Sequence, residues 1–256
     1  MNGFIRCPAC GCREPQLMNG ESQQYKCRAC LKIFNVAEKS VQTQTNDSVE
    51  KLSMSKRKLF FDKLMSKTVE LHTYFEKEVC AGTGFFISKD YILTNAHVVM
   101  KLSPDRNVQE PAVYITGNNY EKSKQFQFDV VSADVGLDIA VLKLKEGINE
   151  FVSFSENIFN GEQIFAIGNS RGEGLCIVEG IISDISRMIG SNHYFMTSAI
   201  VTNGNSGCPV FSSDGLVVGM VTEGSKNSVA MNYAIPSSVL LEYIKATERS
   251  EQITIL

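Results

Sequence analysis

After Cys80 the chain becomes a succession of short stretches rich in β-branched and aromatic residues: GFFIS, YILTNAHVV, AVYITG, FQFDVVSA, IAVLKL, QIFAIG, LCIVEGIIS, YFMTSAIV, CPVF, LVVGMVT and MNYAIP. Gly, Asn, Asp or Ser separates most of them, the pattern of an antiparallel barrel or sandwich. The expected fold class is therefore mainly β, with enough strands after residue 78 for two small packed barrels. Before this region, Leu59, Phe60, Leu64, Met65, Val69, Leu71 and Phe75 recur at mixed steps, which predicts an amphipathic leading helix over 56–78. A second helix, Ser237 to Glu248, is expected to close the domain.

At 256 residues the chain suits one medium domain with a small appendage, and 43% hydrophobic with 21% charged residues is ordinary globular composition. The net charge of −3 excludes a strongly basic nucleic-acid binder as a description of the whole. That average conceals a split. Residues 1–58 hold 10 basic and 5 acidic residues, leaving 15 basic and 23 acidic for the remainder. The expected division is a zinc ribbon over 1–36, a polar linker over 37–55 and a peptidase-sized β domain over 56–256. The N-terminal residues show no apolar run of signal-peptide length, and nowhere do 18 apolar residues follow one another. The sequence reading is thus a cytoplasmic protein with no membrane partner.

Five of the eight cysteines fall within the first 30 residues. In a reducing compartment such clustering points to metal rather than disulfides. Cys7-Pro-Ala-Cys10 and Cys27-Arg-Ala-Cys30 are two CxxC knuckles 16 residues apart. Each can present two thiolates to one side of a Zn²⁺ ion, and two knuckles close the tetrahedron, which makes the expected zinc structural. So short a unit buries too little apolar surface to fold alone, and metal binding would supply the folding energy. The unit resembles a zinc ribbon. Its basic residues (Arg6, Arg13, Lys26, Arg28, Lys32) barely outweigh Glu14, Glu21 and the charge of a zinc–tetrathiolate centre. The ribbon's partner is left open between protein and nucleic acid, with protein slightly favoured.

Acyl transfer by serine needs a hydroxyl nucleophile, an imidazole base, a carboxylate that orients the base, and donors for the developing oxyanion. The chain has 3 histidines. His72 falls in the expected leading helix and His193 in a hairpin-like SNHYF stretch. His97 stands directly after an apolar strand, in Ile92-Leu93-Thr94-Asn95-Ala96-His97-Val98-Val99. In Leu137-Asp138-Ile139-Ala140-Val141-Leu142 an acid opens an apolar strand, a semi-buried position that is costly unless paired. In Asn203-Gly204-Asn205-Ser206-Gly207-Cys208-Pro209 the glycines permit a tight backbone that turns successive N–H groups toward one point.

With these blocks in this order, 41 residues from His97 to Asp138 and 68 from Asp138 to Ser206, residues 78–240 resemble the trypsin-like serine peptidases, and among them the HtrA-like proteases. Gly82-Thr83-Gly84-Phe85, AIGNSRGEG with GIIS, and NYAIPSSVL fit the same pattern. The resemblance implies two six-stranded β-barrels with the site between them, and no metal or cofactor for the chemistry. It implies Ser206 as nucleophile, His97 as general base and then acid, Asp138 as its orienting carboxylate, and the amides of Gly204 and Ser206 as oxyanion hole. It places Ala199-Ile200-Val201 and Thr222-Glu223-Gly224 as walls of the primary pocket. Ile200 then sits at the pocket base, where the lack of an acid disfavours Arg or Lys and favours a small to medium aliphatic residue. Two positions depart from the pattern: Cys208 where the family usually has glycine, and Ser198 where HtrA-like relatives commonly carry aspartate. The leading expectation is a serine endopeptidase acting on protein or peptide substrates. Two alternatives are a catalytically inactive peptidase fold used as a peptide clamp, and a zinc-ribbon nucleic-acid binder carrying a passenger domain.

Overall fold

The computed structural model describes residues 16–19, 24–27, 31–35, 44–102, 109–148, 150–222 and 232–256. Its contacts divide the chain into two units, Met1–Met54 and Ser55–Leu256. In the first unit, β1 (Gln16–Asn19), β2 (Gln24–Lys26) and β3 (Ile33–Asn35) form an antiparallel sheet in that order. Cys27 follows β2 and is buried. The Leu31 amide donates to the Cys27 carbonyl at 3.0 Å, and the Cys27 amide to the Lys32 carbonyl at 2.9 Å. Cys7, Cys10 and Cys30 lie outside the described residues.

Helix α1 spans Gln44–Ser66, and two expectations change with it. The helix starts inside the stretch read as a linker, and it stops well short of residue 78. Thr68–Tyr74 is instead a strand, β4, so His72 stands on a strand and not on a helix. The physical reason is pairing: β4 is hydrogen-bonded along both edges, to β5 (Val79–Phe86) and to β9 (Tyr114–Asn118), and it closes a barrel. Val69 and Leu71 stand two apart, the strand period, and the β-branched Thr68, Val69 and Thr73 favour the pleated conformation. The end of α1 covers the second barrel, where Phe60 and Phe61 meet Phe165 edge-on at 6.2 and 5.0 Å.

The remaining elements of the first barrel are β6 (Tyr91–Thr94), β10 (Gln125–Asp134) and β11 (Ile139–Leu144). They close in the order β10-β11-β6-β5-β4-β9. A one-turn helix α2 (Ala96–Val99) and a side ribbon, β7 (Met100–Leu102) with β8 (Gln109–Pro111), interrupt that sequence. The second barrel uses β12 (Gln163–Asn169), β13 (Leu175–Ile189), β14 (Asn192–Thr197), β15 (Pro209–Ser212), β16 (Val217–Val221) and β17 (Asn232–Pro236). It closes as β12-β13-β14-β17-β16-β15. The expected pair of six-stranded barrels is what the chain forms. Helix α3 (Ser237–Glu251) follows without a break.

Strand β11 explains how the barrels join. Ala140 and Leu142 point into the first barrel with Leu71, Phe86 and Ile92. Ile139 and Val141 point outward into a shared cluster with Phe85, Leu93, Ile167, Phe211 and Ile244. Both faces are buried, so the strand reads as a continuous apolar run rather than an alternation. Each such side chain contributes roughly 1.5–3 kcal/mol of burial, and the shared cluster fixes the cleft in which the site lies.

Candidate active site

His97 is carried by α2. Ala96, Val98 and Val99 turn inward and are buried, which leaves the imidazole 37% exposed. Asp138 closes the turn before β11 with φ of +59°, a left-handed conformation that a short polar residue tolerates. The side-chain amide of Asn95 donates to the Asp138 carbonyl at 2.9 Å and holds that turn against α2. His97 Nδ1 lies 2.9 Å from both Oδ1 and Oδ2 of Asp138, and the His97 backbone amide donates to Oδ1 at 3.1 Å. Thr222, just after β16, donates its hydroxyl to Oδ2 at 2.6 Å. With the Nδ1 proton given to the carboxylate, Nε2 is the basic nitrogen of the neutral ring.

Ser206 stands in the loop before β15. Asn205, Gly207 and Cys208 commit their amides to the carbonyls of Thr202, Val221 and Asn205 at 3.0, 3.1 and 2.9 Å. Among the described residues the amides of Gly204 and Ser206 find no such acceptor. These are the two donors that the resemblance assigns to an oxyanion. The loop requires its glycines. Gly204 has φ of +92°, and a Cβ there would sit 2.1 Å from the Asn169 carbonyl oxygen. Gly207 has φ of +82°, and its Cβ would meet the Thr83 oxygen at 2.2 Å. Cys208, the departure from the family pattern, is accommodated because Gly168 lies opposite: a Cβ at Gly168 would come within 2.8 Å of the Cys208 Cβ. Burial raises the Cys208 thiol far above its usual range, with Cys176 adding to the effect, so it stays neutral.

The structure thus joins Asp138, with its partner His97, in the first barrel to Thr222 of the second, and ties Ser206 to the first barrel through its carbonyl, which accepts the Thr83 amide at 2.9 Å. Of the residues expected to shape the primary pocket, Glu223 and Gly224 lie outside the described residues. Ile200 is 59% exposed and does not form a closed floor, because the chain leaves the barrel at buried Ala199 and turns toward solvent. Thr222, expected as a wall, has its hydroxyl turned to Asp138 instead. Ser198, directly after β14, ties that strand's end to the middle of β13: its hydroxyl accepts from the Ile181 amide at 3.0 Å and its own amide donates back to the Ile181 carbonyl at 3.1 Å. Sequence reasoning missed the roles of Asn95 and Thr222 as supports of Asp138, although Asn95 stands two residues before the histidine.

A family model described as a trypsin-like peptidase domain matches residues 82–220. A probable periplasmic serine endoprotease, DegP-like, from Chlamydia pneumoniae is 29% identical over 205 residues, 76% of this chain and 40% of that protein. Its namesake from Rhizobium meliloti is 35% identical over 173 residues, 64% of this chain and 32% of the relative. The chain therefore spans 32–40% of the length of these relatives. Among solved structures, the active form of the Rv3671c protease from M. tuberculosis superimposes with a TM-score of 0.65 at 21% identity, over 73% of this chain and 82% of that one, a likeness of fold. The relatives' names correct one expectation. They are named as probable periplasmic endoproteases, which overturns the cytoplasmic placement. Cysteine clustering reports on metal preference and does not by itself determine a compartment.

Proposed function

The chain belongs to the trypsin-like peptidase family, and from that premise we propose that it is a serine endopeptidase of the HtrA/DegP type. The observation that carries this reading is the Asp138 carboxylate, which receives His97 Nδ1, the His97 amide and the Thr222 hydroxyl together. A carboxylate so engaged holds the imidazole in the tautomer that a serine nucleophile needs. In the proposed reaction Ser206 Oγ attacks the scissile carbonyl carbon while His97 Nε2 takes the hydroxyl proton. The carbonyl π pair moves to oxygen, and the amides of Gly204 and Ser206 receive that oxyanion. Collapse breaks the C–N bond, and His97 returns its proton to the leaving amine. Water then attacks the acyl-serine by the same route and restores the free hydroxyl.

Protein or peptide substrates follow from this chemistry. The apolar Ala199-Ile200-Val201 segment supports a small or medium aliphatic residue before the cleaved bond, and a peptide-library profile dominated by Arg or Lys there would refute it. For the first unit we infer a structural zinc on Cys7, Cys10, Cys27 and Cys30, supported by the knuckle spacing and by the burial of Cys27 directly after β2. Its partner is a protein or a nucleic acid, which salt-dependent binding to random-sequence RNA or DNA would decide. For the catalytic reading the test is a fluorophosphonate probe, which labels only an activated serine. Wild-type protein should label and Ser206→Ala and His97→Ala should not; an unlabelled wild type would favour the peptide-clamp alternative.

A further inference from the structure

Thr83 lies on β5 of the first barrel and is fully buried, yet every polar atom it owns is turned toward the nucleophile loop or its supports. Its hydroxyl donates to the Gly204 carbonyl at 2.7 Å and accepts from the Asn169 amide at 2.9 Å. Its own amide donates to the Ser206 carbonyl at 2.9 Å. Its carbonyl accepts from the Thr94 hydroxyl at 2.7 Å and forms the surface on which Gly207 closes. One residue of the first barrel thus holds the Gly204 and Ser206 carbonyls of a loop that belongs to the second.

We propose that the Thr83 hydroxyl is a positioning group for the oxyanion hole, setting the backbone of Gly204 and thereby the aim of its N–H. This rests on the reading of Ser206 as nucleophile. Glycine is the residue with least conformational preference, and Gly204, at φ of +92°, relies on neighbours: the Arg171 amide donates to the Asn203 carbonyl at 2.7 Å, the Asn205 amide to the Thr202 carbonyl at 3.0 Å, and the Thr83 hydroxyl is what holds the Gly204 carbonyl itself. Asn169 is the second anchor: its carbonyl lies directly against Gly204, and its amide is held by the same Thr83 oxygen. The hydroxyl therefore fixes Gly204 relative to the strand it rests on. The backbone of Thr83 alone cannot do this, because its amide reaches Ser206 and not Gly204.

The test compares Thr83→Val, which keeps the shape and removes the hydroxyl, with Thr83→Ser, which keeps the hydroxyl. Both are made in the full chain and assayed per folded molecule. For Thr83→Val we expect kcat to fall on the order of 10- to 100-fold, as misplacement of a catalytic donor does, with KM little changed. Affinity for a peptidyl trifluoromethyl ketone, whose hemiketal oxygen mimics the oxyanion, should fall in parallel. The pH midpoint of kcat/KM should stay in place, because Thr83 makes no contact with the His97–Asp138 pair. Thr83→Ser should recover most of the activity and of the ketone affinity. If Thr83→Val is not recovered folded, Thr83→Ala removes the same hydroxyl with less bulk, and thermal melts set the folded fraction. A merely structural tie would lower the melting temperature and leave kcat per folded molecule and ketone affinity untouched, which overturns the proposal. So would a Thr83→Ser variant as impaired as Thr83→Val. A wild-type chain that neither cleaves peptides nor labels with fluorophosphonate would instead overturn the peptidase reading, and this inference with it.

Discussion

Asp138 is held by three residues, Asn95, His97 and Thr222. Its carbonyl takes Asn95, one carboxylate oxygen takes the His97 amide, and the other takes Thr222. Asp138→Asn keeps the size of the side chain but presents an amide where Nδ1–H must donate. The expected result is a loss of kcat on the order of 10⁴-fold with the fold intact, read from steady-state kinetics beside a thermal melt. Thr222→Val removes one hydrogen bond to the same carboxylate and should be far milder, about tenfold in kcat; a loss as large as that of Asp138→Asn would give the threonine a role of its own. At this scale the His97–Asp138 pair was legible because each residue sits in a local string with a recognisable neighbourhood. Asn95 and Thr222 were not, since their partners lie 43 and 84 residues away in the chain and only folding brings them together.

Among the elements, β4 shows where sequence patterning misleads. Apolar residues continue from α1 across Ser66, and the single step of two from Val69 to Leu71 is too brief a signal to announce that the period changes from 3.6 to 2. Pairing with β5 and β9 decides the matter. The strand also carries Glu70, 2% exposed, which accepts the Leu175 amide at 3.3 Å and faces Lys122 at 3.8 Å and His72 at 4.0 Å. The C-terminal helix α3 was legible almost residue for residue, and its end makes a pH prediction. The Glu248 carboxylate accepts the Ile255 and Leu256 amides at 2.7 and 3.0 Å, and those two bonds hold its pKa below the usual carboxylate value. A depressed folded pKa means stability that is present above the unfolded value, about 4.3, and lost as pH falls through the folded one. Glu248 is largely solvent-screened, so the increment should stay under about 1 kcal/mol. Glu248→Gln should destabilise the protein slightly at pH 7 and hardly at all at pH 3, measured by urea unfolding. Equal losses at both would assign the effect to packing of Ile255 and not to charge.

For the whole molecule, the two-barrel architecture could be read from strand cadence together with the family resemblance, whereas the helix that begins before the second unit, at Gln44, could not. The polar stretch read as a linker is partly helix α1, whose later turns carry Phe60, Phe61 and Leu64 onto the barrel core. A chain beginning at Ser55 keeps those side chains and should fold and cleave short peptides at near the full-length rate; a folded but inactive product would make the first unit part of the catalytic machinery. Chelating zinc, or replacing Cys27 and Cys30 with serine, should unfold residues 1–36 and leave the barrels' melting transition in place, read by elemental analysis and calorimetry. The account turns on Ser206 forming a bond to substrate carbon, and intact-mass analysis after mixing with an activated peptide ester at low pH observes that bond. The predicted result is one acyl group per chain, mapped by fragmentation to Ser206 and lost in Ser206→Ala. An unmodified wild-type chain, or an acyl group carried on another residue, would contradict it.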